Sequence, residues 1–123
     1  MRILLLGASG QLGWELNRVL LPLGELTAID FPEIDVGNAD SIRKWIALSK
    51  PHLIINATAY TAVDKAESEP DLVMRINGTA PGILTQEAKT IQAAFIHYST
   101  DYVFNGAKGS LYYESDQPTP LSV

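Results

Sequence analysis

The chain has 123 residues, a formal net charge of −5 and no cysteine. The length suits one domain with a real core. The acidity, with no basic run, argues against a nucleic-acid or anionic-membrane partner. The lack of cysteine excludes a disulfide framework and any thiolate nucleophile or metal site. No signal segment opens the chain and no apolar run reaches ~18 residues, so a cytoplasmic protein with no membrane contact is expected.

In chain order, residues 2–6 (Arg-Ile-Leu-Leu-Leu) form an apolar run short enough for a buried strand. Residues 7–13 (Gly-Ala-Ser-Gly-Gln-Leu-Gly) follow as a glycine turn, and residues 14–21 read as a helix. Pro22, Leu23 and Gly24 stop that helix. A second apolar strand, 26–29, ends in Asp30, twenty residues after Gly10. Each part has a task in holding a dinucleotide. Gly7 makes the sharp exit from the strand, Gly10 lets bare backbone approach a pyrophosphate, and Gly13 lets the helix pack close to the sheet. The free N–H groups and the positive end of the helix dipole favour phosphate. Asp30 can accept hydrogen bonds from the adenosine ribose. The spacing is G-x-x-G-x-x-G, which alone also fits a purely structural turn. The strand before it, the helix after it and the acid at this distance favour the dinucleotide.

Residues 31–37 read as a loop carrying Glu33 and Asp35. Asn38 or Asp40 can cap a helix running through Lys50, with Ile42, Trp45, Ile46 and Ala47 on one face. Pro51 ends it. Residues 52–57 form a third strand whose unbroken apolar character predicts helices on both faces. A loop with a helical turn covers 58–69. Residues 71–91 are helical, with Gly78 and Pro81-Gly82 as candidate interruptions, and 94–99 form a fourth strand. Three βα crossovers therefore predict a Rossmann-like α/β fold. It is a doubly wound parallel sheet with strand order 3-2-1-4 and helices on both faces. Residues 105–110 are turn-rich, and Pro118-Thr119-Pro120 blocks regular structure. A fourth strand left with one flank unpaired predicts a longer parent. Residues 1–104 would be the N-terminal part of its dinucleotide-binding domain, and 105–123 a substrate-side loop.

Four further stretches carry chemistry. Residues 56–61 (Asn-Ala-Thr-Ala-Tyr-Thr) leave the third strand at its C-terminal end, where open α/β sheets bind ligands. The alternative is a small-residue turn. Residues 61–67 (Thr-Ala-Val-Asp-Lys-Ala-Glu) read by physics alone as a solvated helix start. Asn77-Gly78-Thr79 reads as a kink or cap. Residues 98–104 (Tyr-Ser-Thr-Asp-Tyr-Val-Phe) place two hydroxyls and a carboxylate past the fourth strand. There a hydroxyl can hydrogen-bond a carbonyl oxygen that gains charge as hydride arrives. The plainer reading is a strand end with Asp101 capping a turn.

Together these stretches resemble the dTDP-4-dehydrorhamnose reductases, members of the extended branch of the short-chain dehydrogenase/reductase superfamily. The likeness runs along the whole chain. Its more specific parts are residues 61–70, 99–106 and 112–120, the last an aromatic-x-E-x-D-x-x-x-P run. The resemblance implies NADPH- or NADH-dependent reduction of the 4-keto sugar dTDP-4-dehydro-L-rhamnose to dTDP-L-rhamnose. Gly7, Gly10, Gln11, Leu12 and Gly13 would carry the pyrophosphate. Asp30 would bind the ribose, with Asp35 and Val36 beside the adenine. Ala59, Tyr60 and Thr61 would line the dinucleotide groove, and Tyr102 would also touch the cofactor. Thr100 would be the catalytic hydroxyl of a Ser/Thr–Tyr–Lys set and, with Asp101, would meet the sugar. The parent would be a homodimer. Some members use Mg²⁺ at a dimer contact, for which Glu15 is the sole candidate, beside its reading as an ordinary exposed helix glutamate. No other metal site is expected.

One departure matters. The family's Tyr-x-x-x-Lys should begin four residues after the proline matched by Pro120, and Leu121, Ser122 and Val123 are the intervening residues. No other tyrosine here has a lysine four residues on. The expectation is that this polypeptide alone is inactive. The competing readings are another extended sugar-nucleotide epimerase or dehydratase, and a non-catalytic dinucleotide-binding regulatory subunit. Asp30 repels a 2′-phosphate and no arginine follows it, so charge favours NADH.

Overall fold

In a computed structural model of the chain, residues 1–121 are described; Ser122 and Val123, part of the expected approach to the missing tyrosine, lie outside them. Four strands form one all-parallel sheet: β1 (Arg2–Leu6), β2 (Glu25–Ile29), β3 (Leu53–Asn56) and β4 (Ala94–His97). Helix α1 (Gln11–Leu20) joins β1 to β2, and α2 (Ala39–Ser49) joins β2 to β3. Short α3 (Val63–Ala66) and α4 (Pro70–Val73), a π turn (Met74–Thr79) and α5 (Ala80–Thr90) join β3 to β4. No helix among the described residues is long and apolar enough to cross a membrane.

The sheet is covered on both faces, as the unbroken apolar strands require. Side chains alternate along β1. Ile3 and Leu5 cluster with Leu20, Ile55 and the half-buried Leu16, on the α1 side. Leu4 and Leu6 cluster with Ile42 and Ile46 of α2, Ile54, and Ala80, Leu84 and Ala88 of α5. Thus α1 takes one face, and α2 and α5 the other.

That division corrects the expected strand order. The sheet runs β2-β1-β3-β4, not 3-2-1-4. A 3-2-1 half needs its two crossover helices on the same face, so that right-handed connections step outward in one direction. Here α2 lies opposite α1, and a right-handed crossover on that face carries the chain back past β1. β3 therefore pairs with β1's free edge, with Leu4 opposite Ile54 and Leu6 opposite Asn56. The doubly wound architecture stands, and its switch point falls between the C-terminal ends of β1 and β3, where such sheets hold ligands.

Local signals account for most boundaries. Asn38 caps α2, its side-chain oxygen accepting from the N–H groups of Asp40 (2.9 Å) and Ser41 (3.4 Å). Asn38→Ala should lower unfolding free energy by about 1 kcal/mol in a urea titration. Helix α1 begins three residues earlier than expected, directly after Gly10, and β4 ends at His97, two residues early. The expected interruptions at Gly78 and Pro81 are absorbed. The path from α4 to α5 stays helical through the π turn, a wider turn that accommodates the amide a proline cannot donate.

Candidate functional site

The glycine turn is built by two tight contacts and one open position. Gly7 has φ +83°, and a Cβ there would lie 2.8 Å from the Ala57 backbone, so the turn packs against the exit of β3. A Cβ on Gly13 would lie 1.8 Å from the Gly7 carbonyl oxygen. A Cβ on Gly10 would meet only that oxygen, at 3.5 Å, an ordinary contact. Folding therefore demands Gly7 and Gly13 but not Gly10, whose bare backbone leaves room. Gly10 also precedes α1, which has no side-chain cap and no acid in its first turn, where Gln11 and Leu12 sit. Such a helix start accepts an anion.

Asp30 is tied to this turn. Its Oδ2 accepts from the Ser9 N–H (2.9 Å) and the Ser9 hydroxyl, and its Oδ1 accepts from the Phe31 N–H (2.8 Å). Partial burial pushes its carboxyl pKa up. The Ser9 hydroxyl and the two N–H groups outweigh burial and hold it below the usual range. A fixed carboxylate thus stands beside an anion-accepting helix start.

Across the switch point, the chain leaving β3 forms a second wall. Asn56 is fully buried at the end of β3. Its Oδ1 accepts from the Thr58 N–H (3.1 Å) and hydroxyl (2.6 Å), and its amide nitrogen lies 3.2 Å from His97 Nδ1. Asn77, on the π turn, grips Tyr60 from both sides: Tyr60 N–H donates to Oδ1 (2.8 Å), and Nδ2 donates to the Tyr60 carbonyl (3.1 Å). The Tyr60 hydroxyl donates to Glu69, which also pairs with Lys65 at 3.3 Å. The bond to Glu69 holds the Tyr60 phenol above its usual pKa, and the same bond, with Lys65, holds Glu69 below. Tyr60 is therefore held at its hydroxyl by Glu69 and at its backbone by Asn77. Asn77→Ala removes both grips on Tyr60 and should lower the unfolding free energy by about 1–2 kcal/mol in a urea titration, the worth of one or two net hydrogen bonds.

Ala59, Tyr60 and Thr61 line a groove of about 380 Å³ with Asn77, His97, Tyr98, Ser99, Thr100 and Tyr102. Thr100 caps the turn Asp101–Val103: its Oγ1 accepts from the Tyr102 N–H (3.2 Å) and donates to Asp101 only at 3.4 Å. Its proton is thus weakly engaged. Tyr102 also lines a neighbouring cleft of about 530 Å³ with Asp101, Phe104 and Tyr112, the last two with rings stacked at 4.2 Å. The loop beyond is tied down by the Lys108–Asp116 pair, and the Asp116 carboxyl, held first by Lys108 and then by the Tyr113 N–H, lies below the usual range.

The structure therefore brings the glycine turn and Asp30 to the switch point, and gathers Ala59, Tyr60, Thr61, Thr100 and Tyr102 along one groove. The remaining expected residues have contacts of their own. Asp35 accepts from the Gly37 N–H (2.9 Å) in its own turn, and Val36 packs against the core. Glu15 pairs with Arg18 at 2.9 Å, and no group of three or more metal-ligating side chains occurs among the described residues. The sequence did not single out Ser9 or His97, nor the polar roles of Glu69, Asn56 and Asn77. A polar residue ending a buried apolar strand was the available signal for Asn56.

The chain matches, over residues 1–123, the family model described as the RmlD substrate binding domain. It is 43% identical to a dTDP-4-dehydrorhamnose reductase of Burkholderia thailandensis, across 99% of this chain and 41% of that protein. It therefore spans about two fifths of that relative's length. Its fold matches a dTDP-4-dehydrorhamnose reductase from Clostridium acetobutylicum with a TM-score of 0.93 and 37% identity, over 99% of this chain and 44% of that one. A dTDP-4-dehydrorhamnose reductase from Bacillus anthracis, solved in complex with NADP, matches with a TM-score of 0.91 and 34% identity, over 98% of this chain and 43% of that one. The glycine turn, the switch-point groove and the full-length family match agree: this chain belongs to the RmlD substrate binding domain family.

Proposed function

We propose that this chain carries the dinucleotide-binding and substrate-facing part of an NAD(P)H-dependent sugar-nucleotide reductase that converts dTDP-4-dehydro-L-rhamnose to dTDP-L-rhamnose. The observation that carries the reading is the joint at the switch point, where Ser9 fixes Asp30 beside an uncapped helix start and the open Gly10. Bare backbone and unshared N–H groups suit a pyrophosphate, and a held carboxylate suits a ribose diol. Gly7, Gly10, Gln11, Leu12 and Gly13 would hold the diphosphate, and Ala59, Tyr60, Thr61 and Tyr102 the remainder of the dinucleotide. When bound, the nicotinamide supplies hydride. Thr100 offers its hydroxyl proton to the sugar's carbonyl oxygen, which gains negative charge during reduction. Asp101 can accept from the sugar's hydroxyls.

On this reading residues 1–104 serve the dinucleotide and 105–123 the substrate side. The acid that protonates the alkoxide would come from a Tyr-x-x-x-Lys that this sequence does not contain. The test is calorimetric titration of the chain with NADPH and NADH, followed by an assay with the keto sugar. Saturable binding with negligible turnover is expected. No binding of either dinucleotide would overturn the reading, and turnover matching a full-length reductase would overturn the claim of inactivity.

A further inference from the structure

His97 faces Asn56 directly across the β3–β4 pair, and the Asn56 end of that contact is constrained. Asn56 is the only polar side chain among the described residues that is buried with the core. The backbone N–H of Thr58 can only donate, so the Asn56 atom it meets at 3.1 Å is the carbonyl oxygen. The amide nitrogen then points to His97 Nδ1, at 3.2 Å. An amide nitrogen can only donate, so Nδ1 is the ring nitrogen that accepts, and the proton of that tautomer sits on Nε2. Turning the amide over would satisfy a protonated Nδ1 but would set a donor against the Thr58 N–H. Only one arrangement serves all three groups.

We infer that His97 is a positioning residue for dinucleotide binding, acting as the hydrogen-bond acceptor that orients Asn56 and, through it, the groove-lining turn from Thr58 to Thr61. This rests on the dinucleotide reading. The chain of contacts is short: His97 fixes the Asn56 amide, the amide oxygen holds both the N–H and the hydroxyl of Thr58, and the next three residues form the groove wall. Without an acceptor at position 97, the buried amide nitrogen loses its partner, and a buried donor gains by rotating toward any other acceptor. The turn then loses its fixed register with the Asn77 grip on Tyr60.

Two variants and one spectrum test this on the 123-residue chain. His97→Asn places a carbonyl oxygen near the position of Nδ1, whereas His97→Leu has similar bulk and no acceptor. NADPH and NADH affinity should stay within about threefold of the parent in His97→Asn and fall roughly tenfold in His97→Leu, the loss expected of one orphaned buried donor. Nitrogen-15 spectra of the parent should show the His97 proton on Nε2 and an unprotonated Nδ1. Parent-like affinity in His97→Leu, equal losses in both variants, or a protonated Nδ1 would each overturn the inference. A parent chain that binds neither dinucleotide sinks the dinucleotide reading, and the positioning role falls with it. The spectrum still reports on the hydrogen bond separately.

Discussion

Gly13→Ala is expected to leave the chain without a cooperative urea transition, while Gly10→Ala unfolds like the parent but binds NADPH and NADH at least tenfold more weakly. The two glycines differ by three positions in one turn and should fail in opposite ways. A methyl on Gly13 would sit 1.8 Å from the Gly7 carbonyl oxygen, which belongs to backbone and not to a flexible side chain. Relieving that overlap means pushing α1 off the sheet, which would open the packing of Leu16 and Leu20 against Ile3 and Leu5. Core overpacking by a single group costs about 1–3 kcal/mol where neighbours can yield. Here the neighbour is the turn that joins β1 to α1 and packs against the exit of β3, so the loss exceeds that range. Gly10 has φ −71° and ψ 167°, extended backbone that alanine adopts without strain. Alanine there meets only an ordinary contact, and the stiffer unfolded chain offsets any small loss. Its methyl fills the space through which a diphosphate would approach the helix start. Circular dichroism through a urea series checks the first variant, and calorimetry with both dinucleotides the second. Undiminished affinity in Gly10→Ala would remove the pyrophosphate from this turn.

The opening unit was legible because each of its signals is local. A short apolar strand, a glycine turn and an acid twenty residues past Gly10 are visible in one short window, and each lies where the spacing put it. Strand order was not legible for a physical reason. Ile3 and Leu5 are as apolar as Leu4 and Leu6, so β1 does not announce which face takes α1 and which takes α2. The side of the sheet chosen by α2 decides where β3 lands, and that choice is tertiary. The site's inner scaffold was hidden for a related reason. Asn77 reaches Tyr60 over 17 positions and His97 reaches Asn56 over 41, and neither pairing leaves a periodic trace. Asn77-Gly78-Thr79 did mark a helical irregularity. Its consequence, an asparagine aimed at a backbone segment after β3, follows only once the π turn is in place.

Asp30→Asn should swing the preference between the two dinucleotides by roughly a hundredfold toward NADPH. The carboxylate is ionised at neutral pH, because the Ser9 hydroxyl and the N–H groups of Ser9 and Phe31 outweigh the effect of burial. A 2′-phosphate on the ribose proposed to meet Asp30 would bring a second negative charge within a few ångströms. Two like charges ~5 Å apart repel by about 3 kcal/mol at an effective dielectric constant of ~20, which is about a hundredfold in affinity. Asparagine removes the charge, keeps one oxygen for the Ser9 or Phe31 N–H, and offers the ribose diol a weaker acceptor. NADH affinity should therefore fall by a few-fold while NADPH affinity rises. A pH series supplies an independent check. The folded-state pKa of Asp30 is depressed, so its stabilising effect is full above the usual carboxylate range and is lost as pH falls through the lower folded value. The parent's urea midpoint should therefore drop more steeply on acidification than that of Asp30→Asn. If the variant keeps the parent's ratio of NADPH to NADH affinity, the carboxylate does not face the ribose, and the polarity of the bound dinucleotide must be reassigned.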